Sequence, residues 1–276
     1  MIRVGVLGVA GRMGRLVARA IVEDPGLALV AAIDRSHAGD PVGPLIGRPD
    51  ADLPITADLD RLLEARVEVA VDFTHPDVVL DHLDFCISHA IHTVVGTSGF
   101  DDGRLGRVRE MLDRGGGGAN VVVAPNFALG AVLMQRFAAE AARHFPDVEI
   151  VELHHDGKAD APSGTAIATA GRIARERAPG GHTAPDPARG EVVEGVRVHS
   201  VRLPGLVAHQ EVIFGAAGET LTIRHDSMDR SSFLPGVLLA IRAVTTRPGL
   251  TVGLEDRKST RLNSSHVSES RMPSSA

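Results

Sequence analysis

A short apolar run near the N-terminus leads into a glycine-rich turn and then into a helical pattern. Residues 3–9 have the composition of a buried parallel strand, and residues 16–21 carry apolar side chains at helical spacing. Between them, glycines stand at positions 8, 11 and 14. A turn that binds a dinucleotide needs this order, because its backbone must approach the pyrophosphate and the helix N-terminus must face it. The G-x-x-G-x-x-G spacing meets the general G-x-G-x-x-G pattern only loosely.

The next predicted strand, residues 29–33, is followed by an acidic and then a basic residue. Asp34 lies 20 residues beyond Gly14, where a carboxylate can bond the adenosine ribose hydroxyls of a bound dinucleotide. Arg35 can pair with the 2′-phosphate that distinguishes NADP from NAD. A turn role for Asp34 and a solvated loop role for Arg35 are the alternatives.

Strands continue to alternate with helices through the first half of the chain. Further strands begin near residues 67, 93 and 121, whereas residues 36–58, rich in Gly, Pro and Asp, are predicted to be irregular. The alternation predicts a doubly wound parallel α/β sheet, which binds its ligand at the carboxyl ends of the strands. The candidate cofactor contacts at that edge are Gly8, Val9, Ala10, Gly11, Arg12, Met13, Asp34, Arg35, Gly96, Thr97, Ser98, Ala124, Pro125, Asn126 and Phe127.

A second candidate site lies near the middle of the chain, in residues 152–166. Apolar and acidic residues alternate over residues 148–153, which predicts a half-buried strand. Ser163 is a suitable N-cap for a helix that follows. The free backbone amides of Gly164 and Thr165 would then face the preceding loop, and such a helix start favours anions.

Two adjacent histidines and a lysine stand inside this stretch. His154, His155 and Lys158 beside an anion-binding helix start indicate a carboxylate-bearing substrate that must be protonated or deprotonated. A metal site is one alternative, but neighbours on a strand point to opposite faces, and no Cys or Glu stands at ligand spacing. We therefore expect no metal. A structural loop with solvated side chains is the other alternative.

The pattern changes in the second half of the chain. A helix is predicted over residues 130–144, and long alternating strands over residues 196–203, 207–214 and 219–226 indicate an antiparallel sheet. These segments predict an inserted α+β domain. A final helix from residue 233 and a strand from residue 250 are expected to rejoin the first domain.

Three motifs of this sequence resemble those of the 4-hydroxy-tetrahydrodipicolinate reductase (dihydrodipicolinate reductase) family. Residues 152–166 meet every fixed position of the family pattern E-x-H-H-x-x-K-x-D-A-P-S-G-T-A. Residues 8–14 match its turn G-x-x-G-R-M-G in full, and residues 124–127 match A-x-N-F. The resemblance extends from Val4 to about Glu255, nearly the whole chain.

The resemblance implies a Rossmann sheet with an inserted substrate and oligomerisation domain, and NADH or NADPH as the cofactor of a reductase in lysine and diaminopimelate biosynthesis. It implies that residues 1–127 and 233–256 bind the dinucleotide, while residues 128–232 bind the substrate and form a homotetramer through their sheet. By the same resemblance, His154 is the proton donor and Lys158 supports it. His155, Gly164 and Thr165 would hold a carboxylate of the small dicarboxylate substrate.

Composition bounds the other possibilities. The net charge of −6 and the absence of Trp and Tyr argue against a nucleic-acid partner. No apolar run reaches membrane-spanning length, and Met1 is followed directly by a strand pattern rather than a signal peptide, so a cytoplasmic location is expected. Residues 257–276 contain seven serines and no apolar periodicity, which predicts a disordered and non-native tail.

Two rival functions remain open at this point. One is a different two-domain dehydrogenase, such as one acting on an aspartate-derived aldehyde, and turnover on each substrate would separate the two. The other is a catalytically silent regulatory protein that binds NAD(P), which would show no substrate-dependent oxidation of NADH.

Overall fold

The computed structural model describes residues 1–97, 99–177 and 186–254. The tail at residues 257–276 lies outside the described residues, and so does Ser98, one of the candidate cofactor contacts. The described residues form two β-sheets, and helices pack against each of them.

Strands alternate with helices in the first half of the chain. The strands are β1 (Ile2–Leu7), β2 (Leu27–Ile33), β3 (Ile55–Thr56), β4 (Val69–Asp72), β5 (His92–Val95) and β6 (Val121–Val123). The helices are α1 (Arg12–Glu23), α2 (Val42–Ile46), α3 (Asp60–Glu64), α4 (Val79–Ser88) and α5 (Asp102–Arg114). Residues 36–58 are therefore less irregular than predicted, since they contain α2 and β3. Both elements are too short for a periodic pattern to reveal them.

The second half begins with helix α6 (Leu129–Ala141), strand β7 (Asp147–His154) and helix α7 (Gly164–Glu176). Four strands follow, namely β8 (Glu191–Val193), β9 (Val196–Arg202), β10 (Ala208–Ala216) and β11 (Glu219–Ser227). The described chain then ends with helix α8 (Leu234–Val244) and strand β12 (Leu250–Val252).

The first sheet has the order β12-β6-β5-β4-β1-β2-β3, and every strand pairing in it is parallel. Helices α1 and α8 pack against one cluster of buried side chains, and α4 and α5 pack against another. Helices on both faces explain why Val4, Val6 and Leu7 of β1 have no exposed surface. The predicted doubly wound parallel sheet is confirmed, and β12 adds to its edge beside β6.

The second sheet has the order β11-β10-β7-β9-β8, and α6 and α7 cover one of its faces. The antiparallel pairing predicted among the strands after residue 196 is present between β10 and β11. Strands β9 and β10 do not pair with each other, because β7 lies between them, antiparallel to β10 and parallel to β9. Strands β7 and β9 are parallel because α7 lies between them in the chain, and a crossover helix returns the chain to the same end of the sheet.

Candidate active site

The glycine turn after β1 is fixed by contacts with the end of β2. The amides of Gly8 and Val9 donate to the carbonyl oxygen of Ile33 at 2.8 and 3.2 Å, and Gly8 has a φ of 78°. A Cβ on Gly14 would lie 2.0 Å from the Gly8 carbonyl oxygen, so α1 begins in direct contact with the turn. Gly11 is its N-cap and offers no capping side chain. The first amides of α1 therefore lack acceptors inside the helix, as an anion-binding start requires.

Asp34 follows β2 and faces this turn. One carboxylate oxygen accepts the amide of Ala10 at 2.9 Å, and the other accepts the amide and hydroxyl of Ser36 at 3.0 and 2.6 Å. Burial raises the pKa of Asp34, but the hydrogen bonds from Ser36 and Ala10 outweigh burial and hold the pKa below its usual value. A carboxylate has about four acceptor positions, so capacity for ribose hydroxyls remains.

A cavity of about 530 Å³ opens beside the turn. Its volume lies in the range of small-molecule and cofactor pockets. Of the predicted contacts, it is lined by Gly8, Gly11, Asp34 and Arg35. The other wall comes from residues that follow β4 and begin α4, and the sequence analysis did not select them. They include Phe73, Thr74, His75, Val78, Asp81 and His82.

The end of β4 carries a buried carboxylate that organises this wall. Asp72 has no exposed surface and accepts hydrogen bonds from the amide and hydroxyl of Thr74 at 2.8 and 2.6 Å. The Nδ1 atom of His82 lies 2.8 Å from it, and the hydroxyl of Thr97 donates to it at 3.1 Å. Asp72 is the last residue of β4, and Asp34 comes directly after β2, so both acids stand at the carboxyl end of a strand. This shared position is the signal that could have found Asp72.

The predicted cofactor contacts after β5 and β6 differ in how much of each side chain is free to contact a cofactor. Thr97 uses its hydroxyl on Asp72, and a Cβ on Gly96 would lie 2.1 Å from the ring of Phe73, so these two positions are closely packed. The side chains of Ala124 and Phe127 are buried, and the Phe127 ring lies 5.8 Å from that of Phe73. Side-chain contacts with a cofactor are therefore restricted here. Val9 is buried as well, whereas Arg12, Arg35 and Pro125 are exposed and Ala10, Met13 and Asn126 are partly exposed.

Asn126 connects the two candidate sites. Its Oδ1 accepts the amide of Ala128 at 2.8 Å, and its Nδ2 donates to the Thr165 hydroxyl at 3.2 Å. The turn after β6 therefore contacts the first turn of α7. A cofactor held at the first sheet and a substrate held at α7 would meet at this junction.

The second candidate site begins at the end of β7. His154 is the last residue of that strand, and its Nδ1 lies 2.5 Å from Oε2 of Glu152. Burial lowers the pKa of His154, and the charges of Lys158 and Arg202 lower it as well. The Glu152 carboxylate raises this pKa but offsets the other effects only in part. An imidazole placed between a carboxylate and two cations is suited to proton transfer.

The loop after β7 places the other predicted residues around His154. Lys158 Nζ pairs with the Asp160 carboxylate at 2.7 and 2.8 Å, so its charge is partly neutralised in this structure. Ser163 accepts the amide of Ala166 at 3.2 Å, which confirms it as the N-cap of α7. The amides of Gly164 and Thr165 then have no acceptor inside the helix. His155 is exposed on the same loop.

Within the described ranges, no group of three or more His, Cys, Asp or Glu side chains is arranged to hold a metal ion. In the same ranges, no helix is long and apolar enough to span a membrane.

Proteins that hold a dinucleotide at a Rossmann-like sheet and present an acid–base side chain from a second sheet form a class of nicotinamide-dependent oxidoreductases. The glycine turn, Asp34 and the adjoining cavity suit a dinucleotide, and a Cβ at Gly14 would fill part of the turn. The residues present therefore fit a nicotinamide cofactor.

The chain belongs to the dihydrodipicolinate reductase family. Residues 2–127 match the family described as "Dihydrodipicolinate reductase, N-terminus", and residues 130–257 match "Dihydrodipicolinate reductase, C-terminus". The 4-hydroxy-tetrahydrodipicolinate reductase of Nocardia farcinica is 53% identical over 262 residues, which cover 92% of this chain and 97% of that protein.

Two solved structures resemble this chain to different degrees, one in sequence and fold and the other in fold alone. The dipicolinate-bound dihydrodipicolinate reductase from Paenisporosarcina sp. TG-14 is 40% identical with a TM-score of 0.78, over 93% of this chain and 99% of that one. The aspartate semialdehyde dehydrogenase from Candida albicans is 14% identical with a TM-score of 0.52, over 79% of this chain and 72% of that one. The second likeness concerns the fold alone, so family membership favours the reductase over the aldehyde-dehydrogenase alternative.

Proposed function

We propose that this protein reduces 4-hydroxy-tetrahydrodipicolinate to tetrahydrodipicolinate, with NADH or NADPH, in lysine and diaminopimelate biosynthesis. The observation that carries the proposal is the loop at residues 152–166. It meets the family pattern in full and presents His154 beside the start of α7. In the overall reaction the 4-hydroxyl leaves as water together with a proton of the adjacent carbon. The ring then gains a hydride at C4 and a proton at that adjacent carbon.

When bound, the cofactor supplies the hydride, and the residues of the second sheet have the remaining tasks. His154 donates the proton, because its imidazole is partly buried and lies beside an anion-binding helix start. A bound dianion raises the pKa of a neighbouring imidazole and so favours the protonated form that the reaction needs. Lys158 stabilises negative charge on the ring once the substrate competes with Asp160 for its ammonium group.

A substrate carboxylate would be held by His155 and by the amides of Gly164 and Thr165. These contacts are the same in the ground state and the transition state, so they affect KM more than kcat. We expect His155→Ala to raise KM by about tenfold, the loss of roughly one hydrogen bond to a charged group, with little change in kcat. Thr165→Ala keeps the backbone amide and removes only the hydroxyl that accepts from Asn126, so it should also act mainly on KM, with a smaller rise. Steady-state kinetics would check this, and a fall in kcat at unchanged KM would contradict the carboxylate-binding role.

The choice between NADH and NADPH depends on two neighbouring residues. Asp34 favours the 2′-hydroxyl of NADH, whereas the exposed Arg35 lines the same cavity and can pair with the 2′-phosphate of NADPH. We propose that the enzyme uses both cofactors. Arg35→Ala should raise the KM for NADPH by about tenfold, the weight of one hydrogen bond to a charged group, and leave that for NADH unchanged. Equal losses for the two cofactors would remove Arg35 from the site.

The function is tested by a coupled assay in which the unstable substrate is made in situ and NADH absorbance is followed. Substrate-dependent oxidation of NADH supports the proposal. Binding of NADH and of pyridine-2,6-dicarboxylate without any turnover would instead identify the silent regulatory protein.

We also propose that the protein is a cytoplasmic homotetramer assembled through the second sheet. Helices α6 and α7 cover one face of that sheet, while Val151, Leu153 and Ile213 on the other face are apolar and partly exposed. Light scattering should give a mass near four times 29.0 kDa. A monomeric mass would rule out this assembly. Cys86 is buried and unpaired, which suits a reducing compartment.

A further inference from the structure

A buried carboxylate lies directly beneath the proposed proton donor. Glu152 has no exposed surface and stands two residues before His154 on β7, so their side chains point to the same face of the sheet. The contact between His154 Nδ1 and Glu152 Oε2 is 2.5 Å. No role for this carboxylate follows from the hydride transfer or from carboxylate binding.

Glu152 makes two further sets of contacts. Arg202 on β9 donates to both of its oxygens, at 2.9 Å to Oε2 and 2.7 Å to Oε1. The amide of Ser163, the N-cap of α7, donates to Oε1 at 3.2 Å. One carboxylate thus joins β7, β9 and the N-cap of α7.

We propose that Glu152 is a positioning residue that holds His154 in the tautomer with its proton on Nδ1 and ties the imidazole to the start of α7. This proposal rests on the proposed function, in which His154 is the proton donor. With Nδ1–H directed at Glu152, Nε2 is the nitrogen that exchanges a proton with the substrate. The same carboxylate fixes Ser163, so the imidazole and the helix start keep a constant separation.

The charge around His154 should also set its proton affinity. The Glu152 carboxylate favours the imidazolium, while Arg202 and Lys158 oppose it. Three other polar groups contact the residues around His154: the Asp160 carboxylate is bonded to Lys158, and the Ser200 hydroxyl on β9 is bonded to Glu152. The neutral Gln210 on β10 is the strand partner of Glu152 and is bonded to Thr169. Burial lowers the pKa of His154, so loss of the carboxylate would lower that pKa further.

Arg202 does more than neutralise Glu152. Its Nη2 also donates to the carbonyl oxygen of Asp160 at 2.7 Å, which fixes the loop that carries Lys158. A merely structural ion pair would predict similar losses of stability when either partner is replaced. A positioning role predicts instead that replacing Glu152 and replacing Arg202 shift the titration midpoint of His154 in opposite directions.

The first test is the tautomer of His154 in the wild-type protein, measured by nitrogen-15 NMR of histidine-labelled samples without substrate. Above the titration midpoint the remaining proton should be on Nδ1. A proton on Nε2 would overturn the proposal without any variant, because Nδ1 could then not donate to Glu152.

The second test compares Glu152→Gln with Arg202→Met. Glu152→Gln should lower the midpoint of the His154 titration by about one pH unit or more, and Arg202→Met should raise it, because the carboxylate and the guanidinium act oppositely. Near neutral pH, kcat of Glu152→Gln should fall about tenfold for each unit by which the midpoint falls, with a smaller change in KM. Unchanged midpoints, or midpoints that move in the same direction, would overturn the proposal.

A matched control exists on the other face of the same strand. Glu149 contacts Nε2 of His199 at 2.7 Å and also pairs with Arg189. Glu149→Gln should leave the titration of His154 unchanged. The NMR titrations do not depend on turnover. A wild-type protein without activity would refute the proposed function, and the titrations would still test the effect of Glu152 on His154.

Discussion

Replacing His154 with alanine is expected to lower kcat by about 10²–10⁴-fold, the range typical for loss of a general acid. KM should change little, because a proton donor acts in the transition state rather than in substrate binding. Steady-state kinetics with substrate made in situ would measure both constants. His89 offers a matched control, since it is exposed just after α4, at the edge of the sheet opposite the ligand-binding turns. His89→Ala should have wild-type kinetics.

Lys158→Ala tests the second residue that we place in the chemistry of this loop. Its ammonium group pairs with Asp160 and would lie beside a dianionic substrate, so kcat should fall and KM should rise together. Neither variant should alter NADH affinity measured without substrate, because the glycine turn and Asp34 lie on the other sheet. Full kcat in both His154→Ala and Lys158→Ala would falsify the placement of the chemistry in this loop.

The second large effect is expected at Gly14, where α1 meets the glycine turn. A Cβ there would lie 2.0 Å from the Gly8 carbonyl oxygen and 2.8 Å from the Val9 Cα, and backbone atoms cannot move aside cheaply. Overpacking of this kind destabilises a protein by about 1–3 kcal/mol. At about 2–4 °C for each kcal/mol in a chain of this size, Gly14→Ala should lower the melting temperature by several degrees.

The same substitution should weaken NADH binding, since the helix start would move away from the pyrophosphate. Gly106 in α5 provides the control, because a Cβ there would meet no atom within 4 Å. Gly106→Ala should stabilise the protein by about 0.5–1 kcal/mol, the usual difference between Gly and Ala inside a helix. A Gly14→Ala protein with wild-type melting temperature and NADH affinity would show that the close contact at the turn does not matter.

Local patterns were sufficient for much of the first sheet. The apolar run of β1, the glycine spacing and the helical periodicity of α1 each follow from residues near one another in the chain. Sterics at Gly8 and Gly14 act over six positions, so the sequence carries that information directly. Ser163 belongs to the same category, since an N-cap bonds an amide three residues away.

The long-range contacts of the polar residues could not be found in this way. Asp72 receives hydrogen bonds from Thr74 and Thr97, and the second of these lies 25 positions away and reaches it only because β4 and β5 are neighbours. The predicted contacts at Ala124 and Phe127 were chosen for their position after β6, but burial of their side chains depends on packing against Phe73 and α8.

The sequence by itself determined which residues form the glycine turn, which residue caps α7, and which family motif carries His154 and Lys158. Only the tertiary structure decided that β9 runs parallel to β7, and that pairing places Arg202 against Glu152 across 50 positions of the chain. It also decided that Lys158 pairs with Asp160 and that Glu152 is buried beneath His154. The physical reason is that caps and tight turns depend on neighbours in the chain. The partner of a buried charge depends on which strands the crossover helix brings side by side.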